Sequence, residues 1–154
     1  MPKIDIDKVP IDTATGYPSP FNKAVEGRSR KRLGRFAGLT QFGFNVCTLK
    51  PGAASSQRHW HENEDEFVYV LDGEVVLRED DGEIVLKPGD AAAWKAGVQN
   101  GPCLINRSNR DAVFIEVGTR GPSERAHYSE IDMQAIRDGS TFRYVRKNGE
   151  PYPA

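Results

Sequence analysis

Turn signals recur so often between residues 40 and 118 that this part of the chain has room only for short strands. Pro51-Gly52, Asp72-Gly73, Asp81-Gly82 and Pro88-Gly89 punctuate it, and Asp-Gly between apolar runs is a strong hairpin signal. The intervening segments have strand texture. Phe42-Gly43-Phe44-Asn45-Val46 and Gln57-Arg58-His59-Trp60-His61 alternate, while Phe67 to Leu71, Val75-Val76-Leu77 and Ile84-Val85-Leu86 are β-rich runs. Ala91 to Lys95, Leu104-Ile105 and Val113 to Val117 continue the series. Short strands with turns every 8–12 residues or so predict an all-β antiparallel sandwich or barrel.

The flanks read differently. Residues 1–39 form an irregular N-terminal arm, because Pro10, Gly16, Pro18 and Pro20 break it and Ile4-Asp5-Ile6-Asp7 supports no more than an edge strand. Residues 1–35 in particular do not look like core. The run Arg28-Ser29-Arg30-Lys31-Arg32, with Arg35, is either a nucleic-acid patch or a solvated arm facing acidic loops. No aromatic residues interleave with the charges, which favours the solvated arm. Residues 119–154 read as a C-terminal extension packed on the barrel. There, Ser129-Glu130-Ile131-Asp132-Met133 can cap and start a short helix, and Phe142-Arg143-Tyr144-Val145-Arg146 before Asn148-Gly149 reads as a last strand and turn.

Composition narrows the function classes. At 154 residues the chain is long enough for one domain and short for two. Its 21 Lys and Arg against 22 Asp and Glu create no global field that would draw nucleic acid or an anionic membrane. No apolar stretch approaches the length of a transmembrane helix, and the N-terminus has no apolar signal region. The expectation is a cytoplasmic protein without nucleic-acid or membrane partners. Cys47 and Cys103 are two cysteines without a C-x-x-C. They offer neither a disulfide framework nor a zinc ribbon, and read as buried small apolar residues.

The chemistry concentrates at two of the three histidines. In a strand, residues i and i+2 share a face, so His59 and His61 stand side by side and can share one metal ion. Glu66 opens the next β-run, placed to bring a carboxylate across from the neighbouring strand. Two imidazoles and one carboxylate make a facial set with coordination positions left open, the mark of a catalytic rather than a structural site. H-x-H alone is also what two exposed polar side chains on a surface strand look like.

The wider spacing favours the ligand reading. Pro51-Gly52, then His59-x-His61, four residues, Glu66, six residues and Gly73 resembles the first motif of the cupin superfamily. Gly82, Leu86-Lys87-Pro88-Gly89-Asp90, Ala96-Gly97 and Asn106 resemble parts of the second. The resemblance covers about residues 40–118, and the stretch from Asn106 to Arg120 with Ala126-His127-Tyr128 is similar to small stand-alone bacterial cupins named sugar-phosphate isomerase-like. It implies a jelly-roll barrel (a double-stranded β-helix) holding a divalent Fe, Mn, Ni or Zn ion at His59, His61 and Glu66. It also implies a homodimer and a small-molecule ligand or substrate. The second motif departs from the family: Asn100 stands where a fourth-ligand histidine is usual, and Lys95 stands in place of a proline. The Asn100 carbonyl oxygen is a weaker ligand than imidazole, so the site is expected to be open and exchange-labile.

Other residues add candidates. Gln57 shares the strand parity of His59 and His61, and Lys95, beside the Asn100 turn, can bind an anionic group. Gln57, Lys95 and Asn100 are therefore the candidate substrate-binding residues. His127 lies beyond the barrel strands, as a hydrogen-bonded structural histidine or a substitute ligand. Trp60 and Trp94 suit barrel packing or dimer contact better than substrate stacking. The functions in play are a metal-dependent enzyme, of oxygenase or sugar-isomerase type, and a non-catalytic ligand-binding barrel with a degenerate metal site. No residue in the sequence declares itself the base that an isomerase needs.

Overall fold

Alternating side chains give the central strands one buried and one outer face, and the tight turns between them dictate antiparallel pairing. The computed structural model describes residues 2–153; Met1 and Ala154, the outermost residues of the expected arm and extension, lie outside the described residues. Along the chain run β1 (Ile11–Asp12), β2 (Arg28–Arg32), the single-turn α1 (Leu33–Phe36), β3 (Phe42–Leu49), β4 (His59–His61), β5 (Glu66–Asp72) and β6 (Val75–Glu79). They continue as β7 (Gly82–Leu86), β8 (Ala91–Trp94), β9 (Cys103–Ile105), β10 (Ala112–Thr119), β11 (Ser123–Tyr128), β12 (Gln134–Asp138) and β13 (Thr141–Val145).

A six-stranded sheet in the order β1-β2-β3-β10-β5-β8 forms one wall. The order β13-β12-β11-β4 and the order β7-β6-β9 make up the other. This is an antiparallel jelly roll: the turn spacing predicts the antiparallel sheets, and the cupin resemblance implies their jelly-roll arrangement. The main core lies between the six-stranded sheet and β6, β7 and β9. Phe114, Cys47 and Leu49 from β10 and β3 meet Val68 and Val70 of β5, with Val75, Leu77, Leu86 and Leu104 opposite. Phe114, Leu49 and Val70 are fully buried. The β5–β6 turn requires glycine at position 73: its φ is +70°, and a Cβ there would lie 2.5 Å from the Asp111 carbonyl oxygen. Asn106 is also fully buried, donating to the carbonyls of Leu49 (2.8 Å) and Arg110 (2.7 Å). Its amide pins the loop before β10, so this second-motif residue is a structural one.

Three expectations about the flanks fail. The arm does contribute core: Tyr17 and Val25 are buried in a second cluster with Ala126, Tyr128, Met133 and Ala135. Arg28–Arg32 is a strand rather than a solvated arm, paired along β3 from Arg28↔Leu49 to Arg32↔Asn45. Leu49, Cys47 and Asn45 point inward, so Arg28, Arg30 and Arg32 do too. The helix expected from Ser129 does not form; residues 129–133 bend between β11 and β12. Met133 is buried and its carbonyl accepts from the Tyr128 N–H (3.3 Å), so packing of one apolar side chain overrides a weak capping pattern. The expected last strand is present as β13. Among the described residues, no helix is long and apolar enough to cross a membrane.

Candidate metal centre

β4 carries the chemistry, and its alternation puts His59 and His61 on the inner face and Trp60 outside. Pairing with β11 sets His59 opposite Tyr128, Trp60 opposite His127 and His61 opposite Ala126. On the outer face the Trp60 and His127 rings stack at 4.4 Å, and His127 Nε2 pairs with Glu62 Oε1 at 2.7 Å. His127 is therefore turned away from the other two histidines and acts as a hydrogen-bonded structural group.

Across the barrel, β5 opens with Glu66, which shares the inner face of that strand with Val68 and Val70. His61 Nε2 lies 3.1 Å from His59 Nε2 and 3.0 Å from Glu66 Oε1. His59 Nδ1–H donates to the Gln57 carbonyl at 2.8 Å. That bond fixes the tautomer and leaves the Nε2 lone pair aimed at His61 and Glu66. Donors about 3 Å apart are spaced as neighbouring ligands are, each about 2.1 Å from a shared ion. The donor set and its spacing fit a divalent transition metal.

A layer of carboxylates stands behind His61. His61 Nδ1 is buried without a hydrogen-bond partner among the described residues, 3.6 Å from Glu64 Oε2 and 3.7 Å from Glu124 Oε1. Glu124 accepts from the backbone N–H groups of Glu62 (3.0 Å) and Asn63 (3.1 Å), and Glu64 is paired with Arg137. Both carboxylates are thus anchored by groups that do not move with the imidazole. The His59, His61 and Glu66 side chains line a cavity of about 340 Å³ between the facing sheets, within the roughly 300–1,000 Å³ range of small-molecule sites.

A cupin-domain family profile matches residues 45–118. The whole chain is similar to the solved structure of a sugar phosphate isomerase of the cupin superfamily from Silicibacter pomeroyi. Identity is 47%, coverage is 99% of this chain and 98% of the other, and the TM-score is 0.94. The chain belongs to the cupin superfamily. Two more distant structures share the fold. One, from Acidithiobacillus ferrooxidans and provisionally named a sugar phosphate isomerase, has 24% identity over 82% of this chain and 81% of its own, with a TM-score of 0.74. The other, the polyketide cyclase RemF from Streptomyces resistomycificus, has 19% identity over 84% and 88%, with a TM-score of 0.66. A comparison with curated proteins gives no match.

In this cupin the electrostatics at the site run in opposite directions at neighbouring groups. Burial, reinforced by the charge of His61, pushes the His59 pKa down and keeps that ring neutral. Burial also opposes charging His61, but the carboxylates of Glu124, Glu66 and Glu64 outweigh it and raise its pKa to about 10. For Glu66 burial favours the neutral acid, and the bond and charge of His61 overturn that, lowering it to about 2. Burial pushes the thiols of Cys47 to about 12 and Cys103 to about 11. Both are protonated at neutral pH, as suits core residues.

The candidate substrate-binding residues Gln57, Lys95 and Asn100 point away from the three donors, whereas Trp94 lines their cavity. Gln57 Nε2 donates to the Phe21 carbonyl (3.0 Å), so its side chain ties down the arm while its own carbonyl orients His59. Lys95 is exposed beside a shallower cavity with Asp65 and Thr119. Asn100 Oδ1 accepts from the Asp80 N–H at 2.9 Å, capping a turn outside the histidine-lined cavity. Trp94 lines that cavity, with its Nε1–H donated to Glu79 at 2.6 Å.

The cavity wall also includes Glu116, which is not among the candidates above, and the arginines of β2, which are expected from the sequence as a solvated arm. Glu116 shares the inner face of β10 with Ala112 and Phe114, paired with Arg30 and accepting from Asn45 Nδ2 at 3.0 Å. The signals were available: a single charge inside the apolar run Val113 to Val117, and arginines spaced at i and i+2. Both are what a strand face lining a polar cavity looks like.

In metal-stripped protein the His61–Glu66 pair makes stability depend on pH. The raised His61 pKa contributes fully below the ordinary 6.5 and is lost as pH climbs toward about 10. The lowered Glu66 pKa contributes fully above the ordinary 4.5 and is lost as pH falls toward about 2. The pair therefore contributes most between 4.5 and 6.5, while the lowered His59 pKa works against stability below 6.5. Urea unfolding in chelator should show a decline above 6.5 that His61→Gln removes. An alkaline decline of equal slope in His61→Gln would contradict this account of the pair.

Proposed function

We propose that this cupin is a divalent-metal-dependent isomerase acting on a small polyhydroxylated carbonyl compound of the sugar or sugar phosphate class. The observation that carries the reading is the convergence of His59 Nε2, His61 Nε2 and Glu66 Oε1 on the wall of a polar cavity. The likeness to the Silicibacter pomeroyi sugar phosphate isomerase supports it. Iron, manganese, nickel and zinc all suit two imidazoles and a carboxylate. When bound, such an ion supplies Lewis-acid polarisation of a carbonyl and its neighbouring hydroxyl.

The protein's own groups have separate tasks. The Gln57 carbonyl holds His59 in position before anything binds, while Glu64 and Glu124 set negative charge 3.6 and 3.7 Å from His61 Nδ1. Burial raises the phenol pKa of Tyr144, so this cavity-lining hydroxyl stays protonated and able to donate to a substrate oxygen, whereas the Tyr128 O–H is donated to the Tyr17 hydroxyl at 3.4 Å. Aldose–ketose interconversion also needs a group to carry a proton between carbons. Glu116 is the cavity carboxylate left for it. Its Oε1 is taken by Arg30 and Asn45, but its Oε2 has only Arg30 Nη2 at 3.4 Å.

An oxygenase is the second reading, favoured by the same three-donor face, which leaves coordination positions for both substrate and dioxygen. Oxygen consumption on substrate addition supports it, and stoichiometric binding without turnover supports a non-catalytic binder. The outer face of the six-stranded sheet exposes Phe42, Phe67, Tyr69 and Leu71, an apolar surface that a second copy can cover. A homodimer mass by light scattering at micromolar concentration is expected, and a monomer mass would remove that part of the proposal.

Metal content separates the ligands from their neighbours. His59→Ala and His61→Ala should lose the ion that wild type retains through purification. Asn100→His should match wild type, because position 100 faces Asp80 rather than the cavity. Glu116→Gln should keep the metal and lose kcat for aldose–ketose interconversion by about 10²–10⁴-fold. Equal metal content in wild type, His59→Ala and His61→Ala would overturn the proposed site.

A further inference from the structure

The inward face of β2 carries three arginines, and their partners differ. Arg32 is paired with Asp12 at 2.6 Å, and Arg30 is paired with Glu116. Arg28 forms no ion pair with a carboxylate among the described residues. It is also the most buried of the three, 8% exposed, in the wall of the cavity that holds His59, His61 and Glu66. Its Nη1–H donates to the Ser55 carbonyl at 2.6 Å and its Nη2–H reaches the Ala14 carbonyl at 3.5 Å. A guanidinium has five N–H donors, so most of its hydrogen-bonding capacity is unmatched by protein.

A buried cation without an anion is among the least favourable arrangements a folded protein keeps. The neighbourhood deepens the deficit. Arg30 Nη2 also approaches the Ser55 carbonyl, at 3.4 Å, so two guanidinium groups share one neutral oxygen. Against their two positive charges this end of the cavity sets the single carboxylate of Glu116. Burial and the charge of Arg30 both push the Arg28 pKa down, the electrostatic sign of a place where negative charge is missing.

We propose that Arg28 is the counter-ion for an oxyanion on the small molecule that this cavity binds, a phosphate or a carboxylate. Arg28 would hold that group in the same cavity whose opposite wall presents the imidazoles. The planar fork of a guanidinium suits two oxygens of either anion, and a dry, low-dielectric wall strengthens the pairing. The inference rests on the proposed function only for the identity of the rest of the ligand; the anion site itself needs no metal.

Titration calorimetry tests it with two probes, inorganic phosphate and glycolate, on chelator-treated protein of full length. Wild type should bind at least one of them, and the tighter of the two identifies the anion class. Arg28→Met should weaken that binding at least tenfold, and Arg28→Lys should recover part of it. Should Arg28→Met fail to fold, side-chain ¹⁵N spectra of wild type give the answer instead: the Arg28 Nε–H resonance should shift on titration. The proposal is overturned by absence of binding of either probe, by undiminished binding in Arg28→Met, or by an Arg28 resonance that does not move. Binding that appears only after metal loading also overturns it, since the anion then sits on the metal, and in that case the metal reading survives. Anion binding at Arg28 in protein that takes up no metal leaves this inference standing and removes the isomerase reading.

Discussion

The pairing of β4 with β11 is the contact on which the site depends. A strand of three residues, His59–His61, has too few backbone hydrogen bonds to hold its own conformation. β11 supplies them, and its register decides which side chains face inward. A one-residue slip would turn both imidazoles outward and bring Trp60 into the cavity. Register is secured from beyond the strand pair. Ala126 and Tyr128 of β11 pack with Met133, Ala135 and the arm residues Tyr17 and Val25, and His59 stacks on Tyr128 at 5.1 Å. The chain's two ends therefore hold the histidines in place.

The cavity gathers charged side chains from several strands, and most of that charge is matched in place. Arg30 with Glu116, Arg32 with Asp12, and Arg137 with Glu64 are partly buried ion pairs. Such pairs contribute little net stability, because desolvation offsets their attraction. Their effect is on position: each fixes a charged side chain at the edge of a site without leaving an isolated charge behind. Among the described residues, two groups in this cavity are incompletely matched: His61 Nδ1, which has no hydrogen-bond partner, and Arg28, which has no carboxylate partner. Residual demand of that kind is where ligands find their binding energy.

The parts of this account legible in the sequence are those governed by a period of two. The turn spacing gave away the antiparallel strands, and i, i+2 parity put His59 and His61 on one face. Glu66 reaches them because the intervening residues close a short connection between β4 and β5. Where long-range packing decides, local pattern misled. The arginines of β2 alternate as a strand face does, but a dense basic run in a proline-rich arm looks solvated until β3 and Glu116 are seen beside it. Asn100 occupies a histidine position of the family, but a loop sets where it points, and the Asp80 N–H captures its oxygen. The burial of Tyr17 against Tyr128, 111 residues away, has no local signature at all.

The central claim is that His59, His61 and Glu66 hold one ion together. Anomalous scattering from crystals of metal-loaded protein tests it most directly. The account predicts a single strong peak within about 2.0–2.2 Å of His59 Nε2, His61 Nε2 and a Glu66 oxygen. A peak instead at the other face of the same ring, among His61 Nδ1, Glu64 and Glu124, would contradict it, as would metal-loaded crystals with no peak inside the barrel.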